Sequence, residues 1–215
     1  MLARLVFLST LLTPSPRAEV IDRIAVTLDN QIIAESEVAR EIRLIAFLNG
    51  DPLDFSPEAR RKAADRLVEQ KLIRREIELG RYLEPSKEEV AAMMKQIQAQ
   101  KFRGPEDYRQ ALDKYDVSES DLNAHLLWQL TLLRFIDARF RPGVQVSDEE
   151  IRAYFDREQR KLEGTADPGK QPRFEDFRDQ IAETLINQFV DQQLDDWMAA
   201  ARKRTRIVFH PEAFK

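Results

Sequence analysis

A mainly helical fold with one small β-sheet is what this sequence predicts, and three observations predict it. One third of the 215 residues are charged and only six are glycine, which suits long polar-faced helices better than a sheet-rich fold. Apolar residues recur at three- and four-residue spacing, and a Ser-x-x-Glu/Asp signature precedes several of these runs, marking helix starts. Strand-like patterns are confined to residues 20–33 and 205–209. The expected architecture is a helical bundle with a small β-sheet formed by an N-terminal hairpin and the C-terminal strand.

The first 18 residues, MLARLVFLSTLLTPSPRA, stand apart from the rest. Arg4 precedes an apolar run from Leu5 to Leu12, Pro14 and Pro16 end it, and Ala18 offers a small residue for cleavage. That is the layout of a secretory signal peptide, and the run is too short to span a bilayer. A plain N-terminal extension or a misplaced start codon is the other reading. Export also suits the absence of cysteine, since a chain without thiols cannot mispair in an oxidising compartment.

Beyond the leader, Val20, Ile24, Val26 and Leu28 are apolar at even spacing, Asp29-Asn30 supplies a turn, and Gln31-Ile32-Ile33 resumes the run. This predicts a hairpin. A helix starts at Ser36 and carries Val38, Ile42, Ile45 and Phe47-Leu48 to a break at Asn49-Gly50-Asp51-Pro52. Ser56-Pro57-Glu58 opens the next helix, which Gly80 closes. Ser86-Lys87-Glu88-Glu89 is a capping box before Val90, Met93, Met94 and Ile97, and Gly104-Pro105 starts a short helix with Tyr108, Leu112 and Tyr115. Ser118-Glu119-Ser120-Asp121 precedes Leu122, Leu126, Leu130, Leu133 and Ile136 at helical spacing. Ser147-Asp148-Glu149-Glu150 precedes Ile151, Tyr154, Phe155 and Leu162. Residues 163–172, EGTADPGKQP, read as a loop. Phe174, Phe177, Ile181, Leu185, Phe189, Leu194, Trp197 and Met198 then predict one long amphipathic helix ending near Arg202. The tail Thr205 to Phe209 reads as a strand. A lone strand leaves its backbone groups unpaired, so it is expected to pair with the N-terminal hairpin. The domain plan is a leader at 1–18 and a single domain at 19–215, divided into a helical module at 19–162, the loop at 163–172, and a closing helix and strand at 173–215.

The chemistry-bearing residues are few. A net charge of −4 excludes the strongly basic balance of a general nucleic-acid binder, and without cysteine there is no thiolate nucleophile or cysteine metal site. His125 and His210 are 85 residues apart, and neither carries a second ligand at helical spacing, so each reads as a packing or helix-face histidine. No Gly-rich phosphate loop or GxSxG pattern is present. Glu88-Glu89 and Glu149-Glu150 lie in first helical turns, where carboxylates offset the helix dipole. Arg60-Arg61-Lys62 reads as a solvated helix face and Arg202-Lys203-Arg204 as helix C-terminal charge. No metal or cofactor is expected. Flexible and aromatic side chains gather near helix ends: Phe47, Leu53 and Phe55 around the Asn49-Gly50 break, and Met93, Met94 and Phe102 on the third helix. Such side chains adapt to irregular apolar partners. Each residue is individually explicable as core; as a set they are the candidate peptide-binding groove.

Four segments in this order resemble the SurA-like periplasmic chaperones, relatives of the parvulin-type peptidyl-prolyl isomerases. These are VIDRIAVTLDNQIIAESEV, LVEQKLIRREIELGRYLEPSKEEV, FRGPEDYRQALDKYDVSESDL and VQVSDEEIRAYFD. Tyr115-Asp116 stands where the family pattern has a glycine. The resemblance covers roughly residues 20–157, with weaker similarity at 174–209. It implies the family's N-terminal chaperone module, completed by the C-terminal helix, binding unfolded polypeptides such as outer-membrane protein precursors in the periplasm. A parvulin domain of about a hundred residues usually follows the Ser-Asp-Glu-Glu-Ile helix; only residues 163–172 stand there in this chain, so isomerase activity is not carried over. The expectation is an ATP-independent, non-catalytic peptide binder without nucleic-acid partners or stable membrane insertion, homodimerisation being left open. A helical module for one dedicated envelope partner and an isomerase by family membership are the alternatives.

Overall fold

The structure, a computed structural model, describes residues 22–80, 82–162 and 173–215. The expected leader, Val20 and the loop at 163–172 lie outside the described residues. The chain order is β1 (Ile24–Leu28), β2 (Gln31–Ala34), α1 (Glu35–Asn49), α2 (Pro57–Leu79), α3 (Lys87–Lys101), α4 (Pro105–Tyr115), α5 (Glu119–Arg139), α6 (Asp148–Leu162), α7 (Phe174–Arg204) and β3 (Ile207–Phe209). Short 3-10 turns follow α5 at Arg141–Gly143 and β3 at Pro211–Phe214. The described chain is thus mainly helical with a three-stranded antiparallel sheet in the order β2-β1-β3.

The ends of the chain meet in that sheet. Leu28 pairs with Ile207 and Val26 with Phe209, while Val26 also faces Ile33 on the other side. The turn between β1 and β2 places Asp29 at φ 47°, a left-handed conformation that Asp and Asn tolerate better than most residues. Its carboxylate accepts from the Arg206 backbone N–H at 2.9 Å and from Arg75 at 3.0 Å. These bonds hold the carboxyl of Asp29 below the usual aspartate range, the Arg206 bond first. One detail departs from even alternation. The register slips between Ile24 and Val26, so Ala25 is an extra residue that turns inward (1% exposed) while Ile24 is left 43% exposed. A bulge of this kind flips the side chains on one side of it.

The helix starts follow their caps. Ser86 and Ser118 each accept from the backbone N–H three residues on, at 3.2 and 3.0 Å, and Glu89 and Asp121 reach back to the cap N–H. Ser147 and Glu150 repeat the pattern at α6, and Ser56 caps α2 with Pro57 in its first turn. At the end of α4, Asp116 takes φ 52°. This left-handed conformation is the one most often taken by glycine just past a helix end.

Four apolar clusters build the interior. The first joins the sheet to α1, α2 and the C-terminal turn through Val26, Ile33, Val38, Ala63, Ala64, Val68 and Phe214. The second lies among α1, α3, α4 and α5, and the third joins α2 and α5 to the C-terminal half of α7 around Phe135. The fourth is a small cluster of Ile151, Ile181 and Leu185, made by α6 and the N-terminal half of α7 with Val146 beside them. A 31-residue α7, about 46 Å at 1.5 Å per residue, thereby belongs to both the main body and the α6 pair.

Two expected helix faces hold only in part: the α5 stripe keeps Leu122 and Leu126 buried but not Leu133. On α5, Leu133 is 57% exposed whereas Phe135 and Trp128 are buried. Phe135 packs edge-on to Tyr82, Phe140 and Trp197, at 5.1–5.8 Å between centroids, so the larger aromatic takes the inward face. The Arg60-Arg61-Lys62 run is also not simply a solvated face. The guanidinium of Arg61 lies 3.4 Å from the centroid of Phe209, and Arg60 pairs with Glu35 at 2.9 Å while covering Phe55.

Candidate peptide-binding site

The fold gathers four of the six residues expected to line a groove, Phe47, Met93, Met94 and Phe102, into one cluster and leaves Leu53 and Phe55 outside it. Phe47, on α1, is 3% exposed. It stacks on Phe102 at 5.6 Å and meets Tyr108 and Tyr115 edge-on at 6.4 and 6.0 Å. Met94 is buried in the same cluster, with Met93 and Phe102 packed against it. The Tyr108 hydroxyl approaches the Met94 sulfur at 3.7 Å, and burial pushes its phenol pKa up. The Tyr115 hydroxyl donates to the Asp51 carbonyl at 3.0 Å. This second hydrogen bond ties α4 to the Asn49-Gly50 break, where Gly50 adopts φ 77° and closes α1 onto the Ala46 carbonyl. Phe47 and Met94 are therefore core, and Phe102 reaches a rim cleft shared with Lys95, Arg103, Tyr108 and Glu119. Phe55 lies apart, against the sheet cluster, with the guanidiniums of Arg43 and Arg60 5.6 and 5.8 Å from its ring. Leu53 is 40% exposed.

An apolar cleft of about 280 Å³ runs between α6 and α7, lined by Tyr154, Phe155, Phe177 and Ile181 with Glu158, Gln159, Gln180 and Thr184. Local sequence places each wall. Ser147 caps α6, so Ile151, Tyr154 and Phe155 come round on one side, and Phe177, Ile181 and Thr184 recur at i, i+4 and i+7 on α7. Two helices packed on each other cannot bury more than one stripe apiece, and Phe177 remains 40% exposed. Ion pairs tie α7 to its neighbours: Arg178 bridges to Asp148 at the start of α6 at 2.5 Å, and Glu183 joins Arg141, in the turn after α5, at 2.9 Å. The Arg152 guanidinium lies 4.5 Å from the Phe174 ring, which itself meets Phe155 edge-on at 5.5 Å.

No family model and no curated protein matches this chain. The site is therefore read from its own geometry.

The histidines behave as packing residues. His210 bonds Thr27 at 2.9 Å and joins the tail to β1, its own N–H bonded to the Ala25 carbonyl at 2.9 Å. His125 lines a small polar cavity between α1, α2 and α5, with Nε2 buried and unpartnered among the described residues. Burial pushes its pKa down, and the nearby Glu41 carboxylate works against that shift. Glu41, only 6% exposed, is neutralised by Arg66 at 3.1 Å. Above the same cavity Arg74 stacks on Trp128, 4.1 Å from the ring. Among the described residues no group of three or more His, Asp or Glu is arranged to hold a metal ion, and no helix is long and apolar enough to cross a membrane.

The aromatic residues of the α6–α7 cleft were legible as helix-face positions but not as a binding surface. Gln159, Gln180 and Thr184 carried no signal in a single sequence. A usable clue was the imbalance between a run of aromatics at 154–177 and the thin two-helix layer available to bury them.

Proposed function

We propose that this chain is an exported, ATP-independent chaperone-like protein that reversibly captures unfolded polypeptide in the periplasm, outer-membrane protein precursors among its clients, and that it performs no catalysis. The observation that carries this reading is the open aromatic cleft between α6 and α7. It stands where the SurA-like pattern would continue into a parvulin domain, and it presents Phe177 to solvent beside Tyr154 and Phe155. Burial of about 400 Å² of apolar surface at about 25 cal/mol per Å² supplies about 10 kcal/mol gross. Ordering costs of several kcal/mol bring this to micromolar or weaker affinity, which suits capture and release without a nucleotide.

The test is suppression of aggregation of several unrelated unfolded proteins by the full chain at near-stoichiometric ratio. Protection of all of them, reduced by Phe177→Ser, supports the reading; protection of none overturns it. A second reading, a module for one dedicated partner, is favoured by Leu79 and Leu83, 80% and 83% exposed. They are next in sequence to Glu78 and Glu84, which with Ile77, Leu127 and Trp128 line a cleft of about 340 Å³. Protection of a single client would favour that reading instead.

A further inference from the structure

We propose that the α6–α7 cleft grips an extended client by its backbone, with Gln159 and Gln180 pairing with peptide groups while one large apolar side chain seats on Phe155, Phe177 and Ile181. This rests on the peptide-capture reading above and specifies what the cleft recognises.

The lining is unusual in what its polar members are. Gln159 on α6 and Gln180 on α7 stand on opposite walls, and neither carboxamide has an intrachain hydrogen-bond partner among the described residues. A carboxamide carries two donors and an acceptor, the same groups that a peptide bond presents, so it pairs with an N–H and a C=O of any sequence. Every residue of an extended chain except proline offers that pair; a helical client has already used it internally. Thr184 donates its hydroxyl to the Gln180 carbonyl at 2.8 Å, which leaves its oxygen as an acceptor facing the cleft.

The charges select further. Among the described lining residues Glu158 is the one acidic group, 3.6 Å from Arg157. The described cations nearby are already engaged: Arg157 lies beside Glu158 and 4.9 Å from the Tyr154 ring, Arg152 rests on Phe174, and Arg178 is bound to Asp148 and Asp179. Among the described residues no cation lines the cleft, so an acidic segment gains no ion pair there. The volume, about 280 Å³, is at the small end of ligand sites, which run to roughly 1,000 Å³. An open-sided space of that size suits one side chain of a passing polypeptide.

The experiment is fluorescence anisotropy of the full chain with a labelled, uncharged short peptide carrying one phenylalanine among threonine, serine and valine. Its companions are the same peptide N-methylated on either side of the phenylalanine, a peptide with shuffled flanking residues, and one with flanking glutamates. Shuffling should change affinity less than threefold, N-methylation should weaken it about tenfold or more, and glutamates should weaken it several-fold. Gln159→Leu and Gln180→Leu, both checked for an unchanged circular dichroism spectrum, should abolish the discrimination against the N-methylated peptide. Equal binding of methylated and parent peptides to the unmodified chain overturns the inference and leaves the capture reading standing. Intact aggregation suppression without binding of any of these peptides also overturns it, because capture then lies elsewhere. Loss of both removes the capture reading itself.

Discussion

Truncating Phe47 to alanine separates a core residue from a groove residue, because the two roles predict opposite results. Phe47 is 3% exposed and packs on Phe102, Tyr108 and Tyr115 at 5.6–6.4 Å. Removing a buried phenyl ring forfeits its transfer free energy and leaves a cavity that three other rings cannot all close, so the expected loss is about 3–5 kcal/mol. Phe177 is already 40% exposed. With about three-fifths of a full phenylalanine burial of about 1.5–3 kcal/mol at stake, Phe177→Ala should cost about 1–2 kcal/mol. The assay is urea unfolding followed by far-ultraviolet circular dichroism and tryptophan fluorescence, the two probes testing for a single transition. At about 2 kcal/mol per molar urea, Phe47→Ala should move the midpoint down by about 2 M and Phe177→Ala by less than about 1 M. Client capture should be weakened by Phe177→Ala and, under conditions where the variant remains folded, unchanged by Phe47→Ala. A Phe47→Ala midpoint within about 0.5 M of the parent, combined with lost client capture, would refute the assignment of Phe47 to the core.

Four further outcomes follow from named contacts. The depressed pKa of His125 means that the unfolded chain binds a proton more readily than the folded one. Stability is therefore full above about pH 6.5, falls as pH drops below it, and levels off once pH has passed the folded value. His125→Leu should flatten that slope in a pH series of urea midpoints, with Glu37, Arg40 and Glu41 of α1, Arg74 of α2 and Asp121 of α5 being the charged groups around it. Arg66→Leu strands the Glu41 carboxylate and should cost about 1–3 kcal/mol, much of it recovered in the double variant with Glu41→Leu; a double-mutant cycle measures the coupling. Ser118→Ala removes the α5 cap and should lower stability by about 1 kcal/mol in the same unfolding assay. Ending the chain at Thr205 removes β3 and Phe214, uncovering the β1 edge and the sheet cluster. Loss of a cooperative transition is expected, and an unchanged midpoint would show that the chain ends do not stabilise the domain.

The helix order, most helix starts, the hairpin and the pairing of the tail with it were legible in the sequence; α1 instead starts at Glu35 without a side-chain cap, and Ser36 donates its hydroxyl to Asp22. Each is written in a few adjacent residues: a serine with a carboxylate three positions on, a proline in a first turn, a glycine just past a last one. These signals act over one turn of backbone, where the hydrogen-bond partners are near neighbours in the chain. The strand pairing needed only the argument that a solitary strand has nowhere to place its N–H and C=O groups.

The inward or outward sense of several side chains was decided by tertiary structure alone. Leu133 and Phe135 are both apolar and both at helical spacing, but Phe135 faces Tyr82, Phe140 and Trp197 from distant parts of the chain, and so α5 turns that side inward. Ala25 enters the core because a bulge shifts the pairing by one residue. The expected groove became an aromatic core because α1, α3, α4 and α5 enclose Phe47 and Met94 from several sides. Phe177 is 40% exposed because, among the described residues, α6 is what packs on this part of α7. Sequence periodicity says which residues share a face; what lies opposite that face is a matter of non-local packing, and burial is a property of both partners.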